Sequence, residues 1–542
     1  MVYSIMTTIA HLFIDCLVAH GVTHIFWVPG EENLDMLEAI RTSSLQLIVT
    51  RNEQTAVFMA ATHGRLTGKV GVALATLGPG ATNMMTWVAY AQLWWMPVMV
   101  ITGQKPVKKS KQWRFQVIDV VSMMKPVTKF TTSLIDASRV STTIAHAIHT
   151  AEDEKPWAVH IELPEDIARE DAHGYKPFTY DKTRRPIPDD KAIHNVISQL
   201  EHAKRPCILI GAWANRKRIT NYLTKVIQKY NIPFFTSQMG KWVVDERLPQ
   251  YLWTAALTSG DYLHEAIAQA DLILAIGHDT IEKPTNLLEI GKTKLIHINF
   301  TEAEFNELYH PEVQIIGDIG NTLWRLYEAD IDTSNWNLTP LREKANRAKQ
   351  QLSETIQQAL DNDSITPARL AATVRTELQD DAIVCLDNGL YKVRFARNFP
   401  CYHPNTLLLD NALATMGAGY SAAMMTKLLE PNKQVIAIVG DGWIMMNLGD
   451  LETAVKLGID LTILILNDNA YGMIKRKQNG MWLQDFGLDL ANPDFVKLAE
   501  AFWAKGFRVN SPAEFLPTFR AAEAEKGVKI IEVAFVYPDE VR

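Results

Sequence analysis

The stretch from Gln434 to Asn469 constrains the fold more than any other part of this chain. Gln434-Val435-Ile436-Ala437-Ile438-Val439 is a continuous apolar run of buried-strand character, and it stops at Gly440-Asp441-Gly442-Trp443. An amphipathic helix pattern follows, with Leu448, Leu451, Ala454, Val455 and Leu457 recurring at helical spacing. A second apolar run, Leu461-Thr462-Ile463-Leu464-Ile465-Leu466, ends at Asn467-Asp468-Asn469. Strand, helix and strand in that order predict neighbouring parallel strands. Their carboxyl ends then lie side by side, at the edge where such sheets bind ligands.

The residues at those ends suit one chemistry. Gly440 and Gly442 predict a tight turn that lets backbone N–H groups of the next helix face a phosphate. Asp441 and Asp468 offer hard oxygen ligands from two adjacent strand ends. Mg²⁺ takes few carboxylates and completes its octahedron with a carbonyl and phosphate oxygens. The pattern therefore predicts a Mg²⁺ clamp on a diphosphate. An isolated Gly-Asp-Gly would read as a plain loop turn; the flanking strands and the second acidic turn favour the diphosphate site.

The first third alternates strands and helices in the same way, which implies a parallel sheet covered on both faces. Its predicted strands are Thr23–Val28, Leu45–Val49, Val70–Thr76 and Val98–Thr102. Glu53 follows the second of these, just before the apolar helix Thr55–Thr67, among Val49, Ala56, Val57, Phe58 and Met59. Two readings fit it equally: a carboxylate favoured by the helix dipole, or a buried carboxyl that shares a proton with a ring nitrogen. Gln116, taken by itself, reads as an ordinary loop amide. A polar, proline-bearing linker near Lys176–Asp190 leads to a middle α/β segment, and a charged helical connector, Thr339–Asn362, leads to the last third.

Length and composition set the outer bounds. A chain of 542 residues makes about three domains of ordinary size. With 47% apolar and 21% charged residues it reads as a water-soluble globular protein. The net charge of −7 leaves no overall basic footprint for nucleic acid. Apolar runs such as Trp94–Thr102 are too short to span a bilayer, and the amino terminus shows no charged segment followed by an apolar core. Four scattered cysteines, with no CxxC, suit a reducing, cytoplasmic setting and argue against structural zinc.

Gly440-Asp441-Gly442, 24 residues, then Asn467-Asp468 resembles the signature of thiamine diphosphate (ThDP) enzymes. The resemblance runs along essentially the whole chain and is nearest to acetolactate synthase large subunits. It implies three doubly wound α/β domains with parallel sheets: a pyrimidine-binding domain at 1–175, a central domain at 190–330 and a diphosphate- and Mg²⁺-binding domain at 360–542. Arg51-Asn52-Glu53-Gln54 resembles the activating-glutamate motif, with Asn52 where most relatives have histidine. Pro29-Gly30-Glu31-Glu32-Asn33 resembles the active-site rim loop, and Gly78-Pro79-Gly80-Ala81-Thr82-Asn83, with Gly80, is implied to pack near the aminopyrimidine and the subunit partner. The segment Lys111–Gln116 is similar to one lining the substrate side, which makes Gln116 a polar contact to the substrate.

In the last third the resemblance places Asp387-Asn388-Gly389 over the diphosphate. Met416 wedges under the bent cofactor, while Ala414 and Met416 pair with the pyrimidine edge through their backbones. Gly440, Asp441, Gly442 and Trp443 lie along the diphosphate. Asp441, Asp468 and the carbonyl of Ala470 hold the metal, and Tyr471, Gly472 and Met473 open a helix beside the thiazolium. Gly277-His278-Asp279-Thr280-Ile281-Glu282 resembles the catabolic type, so no FAD is expected. His278 and His297 then read as satisfied interior or rim histidines rather than ligands.

The function implied is ThDP- and Mg²⁺-dependent decarboxylation of a 2-keto acid, pyruvate, with transfer of the remainder to a second 2-keto acid, giving 2-acetolactate. The family also implies a homodimer or homotetramer with the site at a dimer interface. A 2-keto acid decarboxylase or another carboligase is the alternative within the class. The absence of adjacent histidines between Pro97 and Lys129 speaks against the decarboxylase. The alternative of another class is a non-catalytic assembly subunit. One departure stands out: Trp27, Trp87, Trp94, Trp95, Trp113, Trp213, Trp242, Trp443 and Trp503 occupy positions that relatives usually give to glycine. A narrowed or reshaped pocket is the expected consequence.

Overall fold

The computed structural model describes residues 7–108, 115–180, 185–255, 262–282, 293–305, 309–361, 365–535 and 537. Lys111–Arg114, with Trp113, fall outside the described residues.

Three six-stranded sheets are built from parallel pairs, and helices join most, though not all, successive strands. The first comprises β1 (His24–Trp27), β2 (Gln46–Val49), β3 (Gly71–Ala75), β4 (Val98–Gln104), β5 (Phe130–Ser133) and β6 (Ala158–Pro164). Its order is β2-β1-β3-β4-β6-β5. β3, β4 and β6 are buried throughout, as strands covered on both faces must be, and the polar His160 inside β6 is satisfied by Thr102 and Thr131. The middle sheet comprises β7 (Pro206–Ile210), β8 (Phe234–Thr236), β9 (Tyr251–Thr254), β10 (Leu272–Ile276), β11 (Lys294–Asn299) and β12 (Val313–Ile316). Its order, β12-β11-β10-β7-β8-β9, reverses between β7 and β10. β8 runs to β9 and β11 to β12 with no helix among the described residues between them.

The third sheet comprises β13 (Ile383–Leu386), β14 (Leu407–Leu408), β15 (Val435–Gly440), β16 (Leu461–Asn467), β17 (Lys505–Val509) and β18 (Val528–Ala534). Its order is β14-β13-β15-β16-β18-β17, the order of the first sheet repeated strand for strand. The alternation common to the first and last thirds thus reflects one topology used twice. Register sets the site: Val439 pairs with Ile465 and Gly440 with Leu466, so Asp441 and Asn467-Asp468 leave adjacent strand ends.

By compactness the chain divides into two units. One is Met1–Thr183 with Tyr420–Pro431 and Met445–Ile459; the other is Arg184–Gly419, Asn432–Ile444 and Asp460–Arg542. The helix expected across Leu448–Leu457 is a 3-10 turn, Leu448–Asp450, followed by a short helix, Leu451–Lys456. Asp450 breaks it, because its carboxylate takes N–H from Arg51 (2.7 Å) and O–H from Thr453 (2.9 Å). His297 is satisfied by Tyr309 and Thr301. His278 departs from expectation: it is buried, yet neither ring nitrogen has a hydrogen-bond partner. Burial pushes its imidazole down to about 4. Among the described residues no helix is long and apolar enough to cross a membrane, and all four cysteines are buried and unbridged.

Candidate active site

In the first unit, candidate residues collect at the carboxyl ends of β1 to β4. Glu53 opens the helix Glu53–Thr67 and is buried. Asn52 is the helix N-cap; its side chain accepts the Gln54 N–H at 2.9 Å. That role gives Asn52 a local reason of its own. Asn83, the last residue of the short helix Gly78–Asn83, donates from Nδ2 to Glu53 Oε2 at 3.0 Å. A Cβ on Gly80 would lie 3.3 Å from Glu53 Oε1, so the glycine leaves that face of the carboxylate clear.

Pro29 and Gly30 form the loop after β1 and lead into the turn Glu31–Asn33. Glu32 anchors this loop. Its buried carboxylate receives Thr76 Oγ1 at 2.7 Å and the buried Lys105 ammonium at 2.5 Å. Burial pushes the Glu32 carboxyl up, but Lys105 and Thr76 outweigh it and hold it below its usual value. Gln116 is exposed and takes a left-handed backbone, φ 58°. Its carbonyl packs against Gly78, where a Cβ would stand only 2.4 Å away. Gln104, at the end of β4, steadies this segment by donating to the Ile118 carbonyl at 3.3 Å.

In the second unit the candidates lie at the carboxyl ends of β13, β15 and β16. Asp387 is fully buried and accepts N–H groups from Asn388 (2.7 Å), Gly417 (3.1 Å) and Gly419 (3.2 Å). Burial pushes its carboxyl up to about 7 against these donors. Asn388 donates from Nδ2 to the Thr415 carbonyl at 2.6 Å. At Gly389 a Cβ would meet the Tyr391 ring at 2.4 Å. Ala414 takes φ 53° and is exposed, and Met416 is half-buried rather than sealed in a core.

The Gly-Asp-Gly turn differs from expectation. Neither glycine takes a left-handed φ; Gly440 ends β15, and Asp441-Gly442-Trp443 begin the helix Asp441–Ile444. What Gly442 provides is room: a Cβ there would meet Leu490 at 2.9 Å and Tyr471 at 3.3 Å. Trp443 fits with ordinary helical backbone, its ring 5.6 Å from that of Tyr471.

Asp441 is buried, and its Oδ1 has no partner; its Oδ2 receives Asn492 Nδ2 at 2.7 Å. Burial raises this carboxyl. Asp468 is pushed up to about 7, by burial first and then by the charge of Asp441. Two facing carboxylates that repel, one with an orphaned oxygen, fit a hard divalent cation. Ala470 is buried, and its backbone bridges to Asp489, while Gly472 and Met473 begin the helix Gly472–Gly480. A Cβ at Gly472 would stand 2.9 Å from Asp468 Oδ2. Among the described residues no three His, Cys, Asp or Glu side chains cluster for a metal, so this pair would need the Ala470 carbonyl and ligand oxygens to complete a shell.

Sequence reasoning placed Asn83 and Glu32 in cofactor and rim segments without giving either a role of its own, and it missed Lys105 and Asn492. Each acts through a contact distant in sequence. Asn83 and Glu32 were marked by their segments, Asn492 by being an amide in a loop near two acidic turns, and Lys105 by nothing local.

Three family models match the chain in order. They are the thiamine pyrophosphate enzyme N-terminal TPP binding domain over residues 7–123, the central domain over 193–326 and the C-terminal TPP binding domain over 387–533. The chain is 30% identical over 540 residues to an acetolactate synthase of Bacillus subtilis, covering 98% of this chain and 94% of that protein. It is 28% identical to a catabolic acetolactate synthase of Raoultella terrigena, covering 98% and 95%. It is also 28% identical to an acetolactate synthase large subunit of Haemophilus influenzae, covering 98% and 96%.

Proposed function

The chain belongs to the thiamine pyrophosphate enzyme family, and we propose that it forms 2-acetolactate from two 2-keto acid molecules, with pyruvate as donor. The observation that carries this reading is the extent of the likeness: it spans 98% of the chain, through all three domains, to acetolactate synthases. Mg²⁺ is the proposed metal, held by Asp441, Asp468 and the Ala470 carbonyl. The domain limits proposed from sequence, 1–175, 190–330 and 360–542, contain the three matched segments. A homodimer or homotetramer, with a second copy completing each site, and a cytoplasmic location are proposed from the family resemblance.

When bound, ThDP supplies the ring carbon that attacks a keto group and the electron sink that lets its carboxylate leave as CO₂. The protein's share is placement. Glu53, fixed by Asn83, holds or releases a proton at the pyrimidine ring. Met416, Ala414 and the Asp387–Gly389 turn grip the two ends of the cofactor. The Gly442–Trp443 turn would hold the diphosphate, and Asp441, Asp468 and the Ala470 carbonyl would hold the metal. Gln116 would orient the keto acid at the rim that Glu32 and Lys105 stiffen.

Stoichiometry tests the proposal. With pyruvate, ThDP and Mg²⁺, and no added FAD, two pyruvates consumed per CO₂ with acetolactate as product is the expected result. One pyruvate per CO₂ with acetaldehyde would replace it with simple decarboxylation.

A further inference from the structure

Lys392 is a buried cation that no motif singled out. It lies in the helix Leu390–Asn398, directly after the Asp387–Gly389 turn, and is 6% exposed. Its ammonium donates to Asn388 Oδ1 and to the Asp410 carbonyl, the latter at 2.6 Å. Both acceptors belong to turns assigned to the cofactor. The first is the turn over the diphosphate. The second begins the loop through Ala414 and Met416, where Asp410 also receives the Ala412 N–H at 2.9 Å.

The link continues through Asn388, whose amide donates to the Thr415 carbonyl, between left-handed Ala414 and Met416. Asp387 ties the same two turns through Gly417 and Gly419. We propose that Lys392 is a positioning residue for the cofactor. Its ammonium locks the Asp387–Gly389 turn to the Asp410–Gly417 turn, so that both grip one ThDP in register. This inference rests on the cofactor reading above.

Replacing a whole buried ion pair by apolar groups is often neutral for stability, but removing the ammonium alone leaves Asn388 Oδ1 and the Asp410 carbonyl without this donor and costs some stability as well. Burial pushes Lys392 down to about 8, although Asp410 and Asp387 pull it upward. A lysine kept there for folding alone would leave cofactor affinity unchanged when replaced; one kept to hold two turns would show in that affinity.

The test is calorimetric titration of ThDP, with Mg²⁺ present, into the full-length protein. Lys392→Met should weaken binding about tenfold or more. The melting temperature of the cofactor-free chain should move by only a few degrees. Asn388→Ala, which removes no buried charge, should give a loss of the same order, and the double variant should bind no worse than the weaker single one. A Lys392→Met dissociation constant equal to wild type, or losses that multiply in the double variant, would overturn the proposal. No binding by the wild type would instead overturn the cofactor reading itself.

Discussion

Asn83 donates from Nδ2 to Glu53 Oε2 at 3.0 Å, and this bond ties the end of one short helix to the first residue of another. It leaves Oε1 on the side of Gly80, where an added Cβ would stand 3.3 Å from it and the glycine adds none. If Glu53 works on the cofactor ring, Asn83 sets its direction. Asn83→Leu should lower kcat/KM for pyruvate by about ten- to a hundredfold, as loss of an outer partner commonly does. Steady-state kinetics at saturating ThDP checks this; unchanged kcat/KM would remove Asn83 from the site.

Asp441 and Asp468 make unequal predictions. Asp468→Asn keeps a hard oxygen and relieves the repulsion that pushes Asp468 up, so ThDP affinity at fixed Mg²⁺ should stay within about tenfold of wild type. Asp441→Leu removes the orphaned oxygen and should abolish Mg²⁺-dependent ThDP binding. Chelation of Mg²⁺ from the loaded wild-type protein should release ThDP, measured in the filtrate.

The tryptophans divide by backbone. Trp95, Trp242, Trp482 and Trp503 take left-handed φ of 53°, 65°, 58° and 59°. An L-residue there is strained by roughly 1–2 kcal/mol. Trp503 and Trp482 are exposed and lose little packing on replacement, so Trp503→Gly and Trp482→Gly should each raise the melting temperature. Trp27 is fully buried in strand β1, and Trp27→Gly should cost about 3–5 kcal/mol. Thermal melts of the three variants test this split; a fall for both exposed sites would refute the strain argument.

Glu282 gives a pH signature. Burial pushes its carboxyl from 4.5 up to about 8 in the fold, although Ser237 and the Ala212 N–H stabilise the charged form. Between those values the folded chain holds a proton that the unfolded chain has released. Stability therefore falls as pH rises from about 4.5 to about 8. Glu282→Gln mimics the protonated form and should flatten that fall, with a larger rise in melting temperature at pH 8 than at pH 6. Equal shifts at both pH values would contradict it.

How much of this was legible depends on the range of the interaction. The β15–β16 pair, with Asp441 and Asp468 at neighbouring ends, follows from apolar runs and the residues that stop them, all local signals. The three parallel sheets follow from the same alternation. The broken helix at Leu448–Leu457 was not legible, because the partner of Asp450 is Arg51, 399 residues away. Nor were Lys392 and Asn83, whose partners are set by topology. The glycines misled in kind: Gly440 and Gly442 serve close packing, while the left-handed positions nearby fall on Ala414, Gly417 and Asn469.

The account turns on Glu53 acting at the cofactor, and one measurement addresses it directly. Exchange of the thiazolium C2 proton of bound ThDP for deuterium can be followed by NMR after acid quench, in wild type and in Glu53→Gln. The account predicts rapid exchange in the wild type and exchange slower by about a hundredfold or more in Glu53→Gln, with ThDP still bound. Equal exchange in the two proteins would contradict it.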